Sequence, residues 1–590
     1  MADRKKQSLL NGALTLSMAI VAVKLIGVFF KLYITLKIGY DGKGYFATAY
    51  NIYTPIYSIA LAGLPTAISK MVAEKIQEGR YKDVKNLFNI SLLLFTLTGI
   101  VGTAIMLIMA LPYAKSNSFY DALPAIISIA PSLLFCCIMS CYRGYYQGLG
   151  NMTPSAISQI FEAAGKLIFG WILINAVSMA GVEFADKIPL LNRYVSDVTQ
   201  AYSAAAAISG VTIGSLMGLV YLVLKHRFDK KSIPSQLLES SPAAENKKTL
   251  TKALVLLAFT IGLSSLVFNL TTLIDNWIIP NRLKAVLESN FDTVAAMYPG
   301  IISAKGYTAA DADLFKSYLY GAYDTVLEIK NIVPTFTITL GLSAIPILSA
   351  AWAAKDSEKI KSSINSVIRL TMLVALPAGA GMFAMAEDLL YLLYGQSETN
   401  APAIPYIAPI LMLYGISVVF LALSQPVTNM LQAINRTDVP IKSMAIGAIL
   451  KIGINYALVS IPSINIQGAV AGSIVCNIVI VTYGLVVLKK ETGLRYDISH
   501  LLTRPLIASV LSALTAYGFS QLVQIFVPSD FFGAGTLCTR NIATLVGVVT
   551  AVIIYVLSLL LLKALQKNDI KMLPKGEKFT KVLEKYNLID

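Results

Sequence analysis

The chain has 590 residues, 56% of them apolar and only 14% charged, with a mean hydropathy of +0.67; soluble domains carry about 25% charged residues, so a soluble globular protein is excluded. The 48 Lys and Arg against 33 Asp and Glu leave a formal charge of +15, an excess compatible with nucleic acid, acidic lipid headgroups or positively charged loops at one membrane face until the charges are placed. Five cysteines, three of them (Cys136, Cys137, Cys141) in one apolar stretch, offer neither metal-ligand spacing nor a disulfide framework, and the two histidines, His226 and His500, lie in polar stretches with no suitable acid cluster nearby. A metal or cofactor enzyme is disfavoured.

A bilayer core of about 30 Å takes about 20 apolar residues at 1.5 Å each. Fourteen runs meet that demand between charges, prolines and glycines: 9–36, 45–69, 87–112, 122–147, 153–179, 200–224, 252–279, 318–350, 364–394, 402–432, 440–461, 466–488, 502–527 and 540–564. The first follows Arg4, Lys5 and Lys6 like a secretory signal, but it runs well past Lys24 without a small-residue cleavage site, so it reads as a span. With the amino terminus inside, the inner segments hold 33 Lys and Arg and the outer segments 10, Lys43 and Lys316 among the latter. That asymmetry predicts both termini in the cytoplasm.

Displaced by about 285 residues, the chain resembles itself. The stretch 147–173 lies over 431–458, so that Gln147 meets Gln432 and Lys166 meets Lys451, and 63–79 follows the order of 341–359. The expected architecture is all-α and polytopic, with 14 transmembrane helices in two pseudo-symmetric six-helix lobes plus two C-terminal helices. The lobes are 1–224 and 252–488, joined by a charged linker 225–251; spans 13 and 14 occupy 489–565, and 566–590 is a basic tail. Six spans per lobe give both lobes the same orientation, an arrangement suited to alternating access.

An ionised side chain at bilayer depth costs about 2.5–3.5 kcal/mol or more, which makes each one a site candidate. Lys24 lies mid-span, and Lys31, nearly two turns later, shares its face about 10 Å away, with no carboxylate between residues 4 and 40. Two such cations call for an anionic ligand in a water-filled cavity; the alternative has Lys31 snorkelling outward and Lys24 paired with an acid on another helix. Lys166 follows Glu162 by one turn, a pair that serves structure as well as function. Lys451 has no acid nearby in its own span, Asp275 lies toward the outer end of span seven, and Asp324, Glu328 and Lys330 crowd the start of span eight as gate, ion-coupling or solvated groups. Arg143 and Lys70 stand at inner helix ends, where cations are ordinary. Pro55, Pro65, Pro131, Pro334, Pro346 and Pro377 are hinge candidates.

The stretches GLPTAISKMVAEK (63–75), YRGYYQGLGNMTPSAISQIFEAAGK (142–166) and LQAINRTDVPIKSMAIGAILKIGINYALVSIPSINIQGAVAGS (431–473) resemble the stage V sporulation protein B-like polysaccharide transporters. Those belong to the multidrug/oligosaccharidyl-lipid/polysaccharide exporter superfamily, which also contains the MurJ-type lipid II flippases. The resemblance, over roughly 5–500, implies two six-helix lobes with a lipid-tail groove and movement of an undecaprenyl-diphosphate-linked sugar precursor, lipid II first among them, to the outer leaflet. KLIGVFFK (24–31) matches the family's basic first helix with Lys for Arg, which keeps charge but loses bidentate phosphate geometry, and Asp41 falls where lipid II flippases often carry an acid. The partners implied are a lipid-linked sugar diphosphate, the bilayer and cell-wall synthesis proteins, with no nucleic acid, no metal or other cofactor, no catalytic residue, and a monomer in the bacterial cell membrane. Na⁺, H⁺ or the membrane potential is the expected drive. The alternative within the superfamily, a Na⁺- or H⁺-coupled exporter of organic cations, wants carboxylates in the cavity, for which Glu162 and Asp275 are the convenient candidates. No role is apparent for the outer segments 182–200 and 280–318.

Overall fold

The computed structural model describes residues 9–61, 63–117, 119–180, 198–229, 235–494, 496–528 and 538–564. The basic tail, most of the outer segment 182–200 and the side chain of Asp275 lie outside the described residues. Among those described there are helices and no strands, and ten helices are long and apolar enough to cross a membrane.

Two compact units divide the chain. The first comprises Met1–Lys284 and Asp311–Gly321. Its α1, Leu9–Ala60, is too long for one straight crossing, and at Gly39 the backbone takes φ 64°, in the left-handed region that a residue without a Cβ enters freely. The kink divides α1 into two arms, 9–38 and 40–60. There follow α2 (Leu64–Gln77), α3 (Tyr81–Asn117), α4 (Leu123–Gly148), α5 (Thr153–Ala180), α6 (Val198–Phe228), the short α7 (Ser235–Glu239) and the first part of α8 (Lys247–Ala295). Ile68, Val72, Leu87, Phe95, Cys137 and Leu222 are fully buried in one core between α2, α3, α4 and α6. The segment after α7 is strapped to the α2–α3 turn: the Glu245 amide donates to Asp83 at 2.8 Å, and Lys75 meets Glu245 at 2.8 Å.

The second unit comprises Ala285–Ala310 and Ala322–Asp590. After the end of α8 it holds α9 (Pro299–Lys305), the later part of α10 (Ala312–Lys330), α11 (Ile332–Ala353), α12 (Ser357–Ala384), α13 (Ala386–Tyr394), α14 (Ile404–Ala433), α15 (Asp438–Val459), α16 (Gly468–Thr492), a π turn at Ser499–Thr503, α17 (Arg504–Phe526) and α18 (Thr539–Leu561). Much of 280–318, expected as an outer connection, is therefore helical. Among the described residues of the second unit, one core joins Leu348, Ile364, Val367, Val427, Leu431, Val481 and Leu488.

Three expected spans are broken, two of them just before a proline. The run 45–69 stops at Ala60 and restarts as α2, and 318–350 is divided at Asn331 into α10 and α11. In each case a proline (Pro65, Pro334) stands in the first turn of the new helix, where it lacks an N–H and clashes with the carbonyl four residues back. The run 364–394 is broken at Met385, whose φ of −120° and ψ of 25° are not helical.

In the first unit α5 packs closely on α6 through glycines. A Cβ added at Gly210 would lie 2.5 Å from the Gly170 amide nitrogen, and one at Gly214 2.5 Å from the Glu162 carbonyl oxygen. Gly210→Val is expected to cost about 1–3 kcal/mol or more through overpacking and to lower the melting temperature of the purified protein, whereas Gly27→Ala, where an added Cβ meets nothing within 4 Å, should leave it unchanged.

Candidate anion-binding site

The α5–α6 packing fixes where the side chains of α5 point. Glu162 does not pair with Lys166 one turn on. Its Oε2 takes a 2.9 Å ion pair from Arg143 Nη2, and Arg143 Nε donates to Ser158 Oγ at 2.9 Å. Arg143, expected at a solvated helix end, is 14% exposed and Glu162 32%. Across helices α4 and α5 the guanidinium reaches a carboxylate with correct charge-assisted geometry, which the i,i+4 neighbour does not displace.

Lys166 turns to α1 instead. Its Nζ lies 4.8 Å from the centroid of the Phe30 ring, 5.6 Å from that of Tyr50, and 3.3 Å from the Tyr50 hydroxyl, to which it donates. Phe30 is fully buried, its ring held against Gly170, where an added Cβ would come within 2.5 Å. On α1, Lys24 is exposed and Lys31 half-buried. Lys31 and Lys166 both lie within electrostatic range of Lys24. An ammonium carries a charge and three donors that lipid tails do not solvate. The structure thus gathers Lys24, Lys31 and Lys166 in one unit, with the Glu162 charge already taken up by Arg143.

The other candidates lie elsewhere. Asp41 is 6% exposed beyond the Gly39 kink, its carbonyl accepting a 3.1 Å hydrogen bond from Ser317 Oγ. Around it stand Lys43 and Lys316, counted above as outer-segment charges, yet both fully buried. Lys316 meets Asp313 at 2.8 Å and lies 4.2 Å from the Phe119 ring; Lys43 lies 5.0 Å from that of Phe46. Small residues permit this burial: an added Cβ at Gly44 would lie 2.3 Å from the Ser317 carbonyl oxygen. In the second unit Glu328 is half-buried, Lys330 Nζ lies 4.1 Å from the Tyr414 ring, and the Tyr414 hydroxyl is 2.9 Å from that of Tyr323. Lys451, half-buried on α15, has its carbonyl oxygen 3.0 Å from the position of a Cβ at Gly472, so α15 rests on α16 as α5 rests on α6.

Both histidines differ from expectation. His226 lies among Phe88, stacked at 4.5 Å, Tyr142, Tyr145 and Tyr146. His500 Nδ1 is 2.6 Å from Asp497 Oδ2, a His-Asp pair where none was anticipated, and Asp497 also accepts from the His500 amide at 3.3 Å. The pair is local, three residues apart, and caps the π turn. Among the described residues no group of three His, Cys, Asp or Glu could hold a metal.

Ten apolar helices with cations set inside them define a multi-pass membrane protein. Residues 9–303, half of the chain, match the family described as polysaccharide biosynthesis protein, and 332–536 match that described as lipid II flippase MurJ. The chain belongs to the polysaccharide biosynthesis protein family. Stage V sporulation protein B of Bacillus subtilis (strain 168) is 25% identical over 578 residues, 96% of this chain and 98% of that one. Lipid II flippase MurJ of the same organism is 23% identical over 516 residues, 86% of this chain and 87% of its own. A solved lipid II flippase MurJ in an inward closed conformation shares the fold, with a TM-score of 0.58 at 13% identity over 92% of this chain and 97% of that one. This multi-pass bacterial membrane protein is thus similar to flippases in sequence and in fold.

If Arg143 and Glu162 sustain one another, Arg143→Met and Glu162→Gln will each destabilise the purified protein and the double variant will lose less than the sum, with a coupling energy of about 1 kcal/mol read from thermal melts.

Proposed function

We propose that the protein is a flippase that carries an undecaprenyl-diphosphate-linked sugar precursor, lipid II being the first choice, from the inner to the outer leaflet for cell-wall or polysaccharide synthesis. The observation that carries this reading is the cationic face of α1: Lys24 exposed at mid-span, Lys31 on the same face, and Lys166 in electrostatic range. In a low-dielectric site, like charges need an anion to offset their repulsion and desolvation, and a lipid-borne diphosphate concentrates more negative charge on one headgroup than a phosphodiester lipid does. The lipid II flippase MurJ of Bacillus subtilis and the family model of that name support the same substrate class, and the polysaccharide biosynthesis family supports the setting.

In this reading the chain crosses the membrane 14 times, both termini are cytoplasmic, and the two six-helix lobes, 1–224 and 252–488, expose the lysines to either side in turn. Spans 13 and 14, which contain α17 and α18, hold the polyprenyl tail. Lysine ammoniums act as adaptable point charges on the phosphates, and the membrane potential, Na⁺ or H⁺ resets the cycle. Transport needs no covalent step, cofactor or metal, and the unit at work is a monomer that meets cell-wall synthesis proteins at the outer face. The organic-cation exporter is the poorer reading, because Glu162 is held by Arg143 and the α1 face would repel its cargo.

The test is depletion in living cells with leaflet-resolved measurement of lipid-linked precursors. Precursor should accumulate in the inner leaflet, and Lys24→Ala/Lys31→Ala, inserted at normal levels, should fail to clear it. Normal clearance by the double variant would refute the cationic site.

A further inference from the structure

In the flippase reading Lys24 and Lys31 hold one phosphoryl group; the third ammonium, Lys166, has a different setting. Its ammonium carries three donors, and the contacts it makes are two aromatic faces, Phe30 at 4.8 Å and Tyr50 at 5.6 Å, and one neutral oxygen, the Tyr50 hydroxyl at 3.3 Å. The nearest acid in sequence, Glu162, is committed to Arg143 at 2.9 Å. The backbone beneath it is fixed: a Cβ at Gly214 would lie 2.7 Å from the Lys166 amide nitrogen, and one at Gly170 2.5 Å from the Phe30 ring. A rigid Cα therefore bears a flexible four-carbon stem whose charge rests on weak, sequence-neutral partners within range of Lys24.

We propose that Lys166 is a specificity-determining residue that selects a diphosphate over a monophosphate. With one phosphoryl group on the lysines of α1, the Lys166 ammonium leaves the Phe30 and Tyr50 rings and takes the second. A lone phosphoryl group on α1 leaves Lys166 on its aromatic perch. The inference rests on the flippase reading above and adds to it which residue counts the phosphates.

The test uses the full chain in lipid nanodiscs with two probes, farnesyl diphosphate and farnesyl monophosphate, their binding measured by thermophoresis. Wild type should prefer the diphosphate. Lys166→Met should weaken diphosphate binding about tenfold, the size of one charge-assisted hydrogen bond, and change monophosphate binding by less than about twofold, while Lys166→Arg, which keeps the charge on a bidentate fork, retains the preference. An unchanged preference in Lys166→Met overturns the proposal and leaves the flippase reading standing, provided Lys24→Ala/Lys31→Ala loses both ligands. Equal losses for both ligands with a lowered melting temperature would mark Lys166 as structural and also overturn it. A wild type that binds neither probe overturns the proposal together with the lipid-diphosphate reading.

Discussion

The close approach of α5 to α6 is the constraint on which the rest of the first unit depends. Gly165, Gly170, Gly210 and Gly214 let two backbones meet where any side chain would intrude. In lipid there is no hydrophobic drive to press helices together, so small residues and the dispersion contacts they allow must do it. Once α5 is seated, its rotation is no longer free. Glu162 faces Arg143 on α4, Lys166 faces Phe30 and Tyr50 on α1, and Gly170 receives the Phe30 ring.

Charge distribution follows from that geometry. An intramembrane acid and an intramembrane base one turn apart would ordinarily neutralise each other. Here the acid is diverted to Arg143, and the Lys166 ammonium turns to Phe30 and Tyr50 on α1. The aromatic faces under Lys166 offset part of its desolvation without neutralising it. The same chain does the opposite beyond Gly39, where fully buried Lys316 has its acid, Asp313, on the same helix at 2.8 Å. Lys316 is thus paired within its own helix, whereas Lys166 rests on aromatic faces of α1.

Much of this was legible in residues. The apolar runs locate the helices because bilayer thickness sets their length, and Lys24 and Lys31 stand out because mid-span charges are costly. Of the prolines read as hinge candidates, Pro65 and Pro334 stand just after the breaks at Ala60 and Asn331, whereas Pro55, Pro131 and Pro377 lie inside helices, and apolar composition carried the expected spans across both breaks. What one-dimensional pattern could not supply was partner choice between helices. Spacing offered Glu162 to Lys166, and the distant Arg143 took it. Lys43 and Lys316 looked like loop charges because burial by a kinked helix and a glycine contact leaves no periodic trace; the run of Gly39, Gly42 and Gly44 around them is the signal that was available. His226 in its aromatic nest and the capping pair Asp497–His500 depend likewise on folding that brings distant or turn residues together.

The central claim is that the lysine-bearing face of α1 lines a water-filled cavity of positive potential. Gly27, between Lys24 and Lys31, accepts a side chain without any contact inside 4 Å, so Gly27→Cys, in a background with the five native cysteines replaced, places a thiol there without disturbing the packing. Its rates of modification by an anionic and a cationic methanethiosulfonate reagent, each relative to a free thiol, report access and potential together. The account predicts that both react and that the anionic reagent is favoured on the order of tenfold, with the preference shrinking as salt rises. A thiol closed to both reagents, or one that favours the cation, would contradict it.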